Sequence, residues 1–261
     1  MSDYIYTFQK GFNYSQDGPG NRLVYHLSGC NMFCPWCSNP EGLKRTEKSQ
    51  KHTKEELFNE ILSCRTMFFD GGGVTFTGGE VSLQADAVSK LCEMLKKENI
   101  STCIETNASL KGTEKLIDVI DYMIADFKSP NKKTLKTVTG ADIEIIKENL
   151  LKRAITKKYL LIRIPLINNF NTGEENAREF ASFFKELTEK SKSDNIFIEI
   201  LTYHEYGKDK YEKEIKIHDK LAYSVTYSDL DELPRKYHTA EGTLIENIGV
   251  CDGFTKALQL I

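Results

Sequence analysis

Residues 22–42 read RLVYHLSGCNMFCPWCSNPEG, an apolar run that ends in three closely spaced cysteines. Residues 22–28 are nearly continuous in apolar character, as expected of a strand covered on both faces. Cys30, Cys34 and Cys37 follow in a C-x3-C-x2-C pattern, with Trp36 just before the third. No fourth cysteine follows at a short interval. A closed zinc site normally uses four protein ligands, and iron–sulfur cubanes are usually held by four thiolates. Three thiolates on one loop therefore point to a cubane with one iron left open for another ligand. A zinc site completed by His26 or His52 is the alternative for the same residues.

Outward from this loop the chain alternates between two periods. Before it, DGPG at 17–20 is a turn signal, because glycine permits positive φ and proline presets φ. The rest of residues 1–21 carries little regular pattern. Residues 41–52 are polar and read as loop. Thr53 and Glu56 form a capping box, with Leu57, Phe58, Ile61 and Leu62 at helical spacing behind it. Val88, Leu91, Cys92 and Leu95 mark a helix over 84–98. Further helices are predicted near 111–119 and over 142–155. Thr172-Gly173-Glu174-Glu175 reads as a second capping box, heading a helix that buries Ala177, Phe180, Ala181, Phe184 and Leu187. Strands are predicted at 22–28, 74–77, 100–106, 121–126, 159–164 and 196–202. Six alternating β/α units imply a parallel sheet with right-handed crossovers. The expected fold is α/β: a partial (β/α)6 TIM-like barrel over 22–206, with an N-terminal segment (1–21) and a C-terminal extension (207–261).

Composition excludes several classes. With 35 Lys and Arg against 38 Asp and Glu, the net charge of −3 offers nothing to nucleic acid or an anionic membrane. No run of some 18 apolar residues exists, and the start MSDYIYTFQK is neither a signal peptide nor an anchor. A cytoplasmic protein is expected, and in a reducing cytosol the seven cysteines are not a disulfide framework. Cys64, Cys92, Cys103 and Cys251 are expected as small buried hydrophobes.

In parallel β/α sheets functional groups gather at the carboxyl ends of the strands. The first strand ends at the cysteine loop and the second at Gly78-Gly79-Glu80. The third ends at Glu105-Thr106-Asn107, the fourth at Asp126 and Lys128. The fifth carries Arg163 and the sixth runs out to His204. By the period of two, Tyr122, Ile124, Asp126 and Lys128 share one face, as do Ile198, Ile200, Thr202 and His204. A charge on an otherwise apolar face needs a partner, and a bound ligand could be that partner.

The cysteine pattern with its aromatic, the later Gly-Gly-Glu and the six β/α units together resemble the radical S-adenosylmethionine superfamily. The resemblance covers roughly residues 15–206. DGPG, the run Cys34-Pro-Trp-Cys-Ser-Asn-Pro-Glu41, Asp126-Phe-Lys128 and Tyr203-His-Glu-Tyr-Gly-Lys208 resemble the glycyl radical enzyme activating enzymes within it. The resemblance implies one 4Fe–4S cluster on Cys30, Cys34 and Cys37, whose open iron takes the amino and carboxylate groups of S-adenosylmethionine. It implies Trp36 and Asn39 beside the adenosyl part, and Gly79 and Glu80 at the methionine amino group. Lys128, Arg163 and His204 would meet the carboxylate and ribose, with Ser38, Gly78 and Asp126 also among the cofactor-binding residues, and Asp17 would face the incoming glycyl loop. In the pyruvate formate-lyase branch a monovalent cation lies at positions matched by Glu105, Thr106, the Ile124 carbonyl and Asp126, with Glu105 where that branch has aspartate. The implied partners are a glycyl radical enzyme as protein substrate and a flavodoxin or ferredoxin type electron donor. Only 40 residues separate Cys37 from Gly78, too few for an inserted ferredoxin-like domain, so a single cluster is expected. A radical enzyme acting on a small molecule, such as a deazapurine-synthase-like enzyme, and a non-enzymatic iron–sulfur protein are the competing readings.

Overall fold

The computed structural model describes residues 4–202. His204, Cys251 and the expected extension at 207–261 lie outside the described residues. Eight strands are found: β1 (Tyr4–Tyr14), β2 (Asn21–Leu27), β3 (Gln50–Thr53), β4 (Gly73–Gly78), β5 (Ser101–Thr106), β6 (Tyr122–Asp126), β7 (Tyr159–Leu166) and β8 (Ile196–Thr202). They pair into one open sheet in the order β3-β1-β2-β4-β5-β6-β7-β8. From β2 through β8 every neighbouring pair is parallel, and these are the six expected strands. Parallel neighbours need long crossovers. Those are supplied by α1 (Lys54–Ser63), α2 (Ala85–Lys97), α3 (Glu114–Ile117), α4 (Lys132–Thr139), α5 (Ile143–Ile155) and α6 (Glu174–Ser191). Among the described residues no helix is long and apolar enough to cross a membrane.

Two strands lie where none is predicted. Residues 1–21 contain β1, which pairs antiparallel with β2 from Tyr14↔Asn21 to Thr7↔Leu27. Residues 41–52 contain most of β3, antiparallel to β1. Only Ile5 and Thr7 of β1 are buried, and residues 9–12 are exposed. A strand solvated on both faces over half its length shows no apolar alternation. Its backbone pairing holds it, and that leaves no mark in the sequence.

Three helical expectations change. The helix expected over 111–119 is a 3-10 turn at Lys111–Thr113 followed by the single turn of α3. The unpredicted α4 is capped at its start by Asn131, whose Oδ1 accepts from Thr134 N at 2.9 Å, and ended by Gly140 at φ 81°. At α6 the N-cap is Gly173, with no side-chain cap, so the expected Thr172 box does not form. Ala177, Phe180, Phe184 and Leu187 are buried as expected, while Ala181 is only half-buried. The first capping box does form: Thr53 Oγ1 accepts from Glu56 N (3.1 Å), and Glu56 Oε2 from Thr53 N (2.8 Å).

Alternation along the strands separates two interiors. Leu23, Tyr25, Val74, Phe76, Ile104, Met123, Ala125, Leu160 and Ile162 face the helices and form the apolar core with Leu57, Val88, Leu91, Leu150 and Phe180. The other parity carries Arg22, Thr75, Cys103, Glu105, Tyr122, Asp126, Arg163 and Glu199, and faces the inside of the barrel. Its lower level is closed by Tyr122 against Tyr159 (5.2 Å) and Tyr159 against Phe197 (4.9 Å). Fully buried Arg22 spans the start of the sheet there, donating to Thr75 Oγ1, Ser101 Oγ and the carbonyls of Pro19, Val74 and Ser101. Arg153 of α5 does the same outside, capping the carbonyls of Ile117, Ile120, Asp121 and Tyr159. Each arginine satisfies several buried carbonyls at once, which is the condition for burying a guanidinium.

Candidate active site

The strand ends surround a cavity of about 630 Å³. The cysteine loop forms one wall. Gly29 N donates to Gly42 O (2.8 Å) and Cys30 N to Leu43 O (3.0 Å), so the loop closes on itself. It is joined to the end of β4, where Gly79 N donates to Leu27 O (2.8 Å) and Glu80 N to Gly29 O (2.7 Å). Gly78 sits at φ 100°, and a Cβ on Gly79 would lie 2.1 Å from Gly29 O. The two glycines are thus required by the approach of this loop, and both also line the cavity.

Glu80 is fully buried and is not among the residues lining the cavity. Its Oε1 accepts from Ser82 N (3.0 Å) and Thr106 Oγ1 (2.6 Å), and its Oε2 from Asn107 N (2.8 Å). A carboxylate with this many donors is satisfied where it stands; it ties the end of β4 to the end of β5. Asn107 extends the tie to the cysteine loop through Asn31 Oδ1 (3.0 Å), and Asn31 donates onward to Ser109 Oγ (2.8 Å).

Cys30, Cys34 and Cys37 all line the cavity. Burial pushes the Cys34 thiol up to about 12 and the Cys30 thiol up to about 11, and raises Cys37 as well. The Lys128 ammonium opposes this at all three. Lys128 is itself held by Asp126 Oδ2 at 2.5 Å. Among the described residues no three His, Cys, Asp or Glu side chains are arranged around a single metal ion. His52 is bonded to Thr7 Oγ1 (3.0 Å), His26 packs on Phe8 (5.7 Å), and neither lines the cavity, so the zinc alternative lacks its fourth ligand there. A cubane suits the donor set better: its thiolates bind different irons and need not converge on one point, and a nearby ammonium balances their charge.

Most of the other expected residues reach the same cavity. Trp36, half-buried and packed on Phe170 at 4.6 Å, is an aromatic wall, with Ser38 and Asn39 beside it. Thr106, Asp126, Lys128 and Arg163 also line it. The Ile124 side chain is buried and does not line it; the group expected there is its carbonyl. Glu105 lines the cavity and is bonded by Arg163 Nη1 (2.7 Å) and Thr77 Oγ1 (2.6 Å). Burial raises its pKa to about 7, with Arg163 opposing and Asp17 adding to the rise. Arg163 Nε donates to Glu199 Oε2 (2.6 Å) and Nη2 to Gln16 O (2.5 Å). Asp17 completes the lining from the turn between β1 and β2, where Asn13 donates to its carboxylate. Gly20 ends that turn at φ 67°, pressed against the carbonyls of Phe69 and Asp70.

Glu199 is not among the residues the sequence singles out, because the period of two draws attention to the other parity of its strand. Ile196 and Ile200 pack on the core, while Glu199 and Leu201 reach the cavity, joined at the strand end by Thr202. The lone acid in IFIEILT was the available signal. Asn107 is marked in the sequence as a polar strand end, but its bonds to Glu80 and Asn31 are not. Arg22 carries a signal, a charge opening an apolar strand; nothing distinguishes Asn31 before the fold is known.

Comparison with known proteins agrees with this architecture. Residues 24–181 match the model of the radical SAM superfamily. The pyruvate formate-lyase 1-activating enzyme of Escherichia coli (strain K12) is 31% identical over 200 residues, covering 75% of this chain and 79% of that protein. The pyruvate formate-lyase-activating enzyme of Clostridium pasteurianum is also 31% identical, covering 76% and 81%. Streptococcus suis SuiB bound to S-adenosylmethionine shares the fold, with a TM-score of 0.55 at 20% identity over 80% of this chain; the match spans 44% of SuiB. The chain belongs to the radical SAM superfamily, among the relatives of the pyruvate formate-lyase-activating enzymes.

Proposed function

We propose that this protein activates a glycyl radical enzyme by abstracting a hydrogen atom from a glycine of that partner. The observation that carries this reading is that the three thiols and Asp17, from separate loops, line one cavity. The activating-enzyme relatives support it over most of their length. When bound, a 4Fe–4S cluster would supply the electron for reductive cleavage of S-adenosylmethionine to methionine and a 5′-deoxyadenosyl radical. Cys30, Cys34 and Cys37 would hold that cluster, giving up the protons that burial keeps on them. Lys128 lends positive charge to the same wall. Trp36, Ser38, Asn39, Gly78 and Gly79 would hold the nucleoside and methionine parts and exclude water. Asp17 would meet the glycine-bearing loop.

The electron would come from a flavodoxin or ferredoxin type donor. A cytoplasmic location is supported by the six described cysteines being free thiols. A monovalent cation at Glu105, Thr106, the Ile124 carbonyl and Asp126 would share Glu105 with Arg163 and Asp126 with Lys128.

Anaerobic reconstitution, followed by S-adenosylmethionine and dithionite, tests the reading. Release of 5′-deoxyadenosine is expected, and none from a fully loaded protein would sink it. A glycyl-radical EPR doublet appearing only with a candidate partner completes the test. Cleavage coupled instead to loss of hydrogen from a small molecule would favour the competing enzyme reading.

A further inference from the structure

The turn at 15–20 is built into the barrel. Thr75 lies three residues before Gly78, so at about 3.3 Å per residue the Asp17 carbonyl it holds sits roughly 10 Å below the strand end. Three carbonyls of the turn are taken by side chains: Gln16 by Arg163 Nη2 (2.5 Å), Asp17 by Thr75 Oγ1 (2.7 Å) and Pro19 by Arg22 Nη1 (3.1 Å). Arg22 and Thr75 stand on β2 and β4, next to the turn in the sheet. Arg163 stands on β7, on the far side. Its contact with Gln16 spans the open interior.

Arg163 does not find that direction alone. Its Nε donates to Glu199, which stands directly opposite in the β7–β8 register, and its Nη1 to Glu105. A guanidinium is a rigid planar fork, so fixing Nε and Nη1 fixes where Nη2 points. Glu105 is shared with Thr77. Glu199 comes from the edge strand, and Arg163 is the partner it meets at 2.6 Å.

We propose that Glu199 is a positioning residue: by holding the Arg163 guanidinium on the Gln16 carbonyl it latches the Asp17 turn across the open side of the barrel. This accounts for a single acid in the otherwise apolar β8. What the latch serves, the placing of Asp17 beside a target glycine, rests on the proposed function; the latch itself does not.

Amide hydrogen exchange on the full-length, cluster-free chain tests it, comparing wild type with Glu199→Gln and Glu199→Asp. Losing the charge-assisted bond is expected to speed exchange in peptides covering 13–21 by about tenfold in Glu199→Gln, where Ser15 N–H is otherwise protected by Gly20 O. Peptides covering 28–43 should exchange as in wild type. Glu199→Asp keeps the charge and should recover most of the protection. Wild-type exchange at 13–21 in Glu199→Gln overturns the proposal. So does acceleration spread equally into 28–43, or Glu199→Asp behaving no better than Glu199→Gln. Should Glu199→Gln not fold, Glu199→Asp carries the test alone: exchange at 13–21 about two- to threefold above wild type is expected, and wild-type exchange refutes the latch. Failure of the loaded wild type to release 5′-deoxyadenosine would sink the proposed function and leave this result standing.

Discussion

Two loops meet in the cavity, and they are held there by different means. The cysteine loop is fastened by backbone: Gly29 to Gly42, Cys30 to Leu43, Gly79 to Leu27 and Glu80 to Gly29. Its partners are mostly near in sequence or on the adjacent strand. The turn at 15–20 has backbone bonds of its own, Ser15 N to Gly20 O and Asn21 N to Phe69 O at its end, but it is fastened across the barrel by side chains, and the farthest, Arg163, is 147 residues away. Backbone fastening demands glycine where two chains touch, so it leaves a sequence signature. Side-chain fastening demands only a donor at the right height on a distant strand, which leaves almost none. Cysteine spacing is therefore easy to see and the placement of Asp17 is not, although both would serve one reaction.

The contrast can be broken most severely at the cysteine loop. Cys34→Ala should abolish iron loading and 5′-deoxyadenosine release together, read by iron content and chromatography; full cleavage in this variant would refute the ligand assignment. Gly79→Ala comes next. A Cβ 2.1 Å from Gly29 O forces the loop off β4, and a loss of about 3 kcal/mol or more in chemical denaturation is expected, with reduced iron loading. If the loop tolerated alanine, its fastening would not be the reason for the glycine.

The turn should respond differently. Arg22→Met leaves the Val74 and Ser101 carbonyls without their buried donor, at a cost of about 2–3 kcal/mol. Exchange at 13–21 should quicken while the cysteine loop still takes up iron. Equal damage to both loops would erase the distinction between them. The smallest effect is expected from Glu80→Gln. It should cost about 1–2 kcal/mol as the tie between β4 and β5 weakens, with cleavage falling no further than cluster loading does. A large rise in the KM for S-adenosylmethionine at full loading would instead return Glu80 to the amino group of the cofactor.

The six parallel strands were legible by their apolar and β-branched runs: β2 and β4 are almost wholly buried and β7 alternates, while β8 shows itself by composition although Phe197 and Ile198 are exposed. α1 and α2 were legible by their apolar stripes, and Cys92 and Cys103 are buried as expected, whereas Cys64 is only half-buried. The missing elements share a cause. β1 is exposed over much of its length, with Ile5 its one side chain in the apolar core, and β3 is four polar residues on an edge, so neither shows an apolar pattern. α4 carries its signals openly, an asparagine cap and a terminal glycine, but its apolar face is short, with Leu135 as its one fully buried large side chain. Thr172 has the composition of a capping box, but the N-cap is one residue later, at Gly173, and α6 begins at Glu174.

The sequence by itself determined the chemistry: three thiols on one loop and a parallel sheet whose ends gather polar groups follow from spacing and from a period of two. Only the tertiary structure decided which groups reach the cavity. Glu80 is spent on joining two strand ends, Glu199 turns inward, and Arg163 is committed to two acids and a carbonyl. Those outcomes depend on the height of each residue in neighbouring strands and on which buried charges find partners. Both are set by register between segments far apart in the chain, and no local pattern encodes that register.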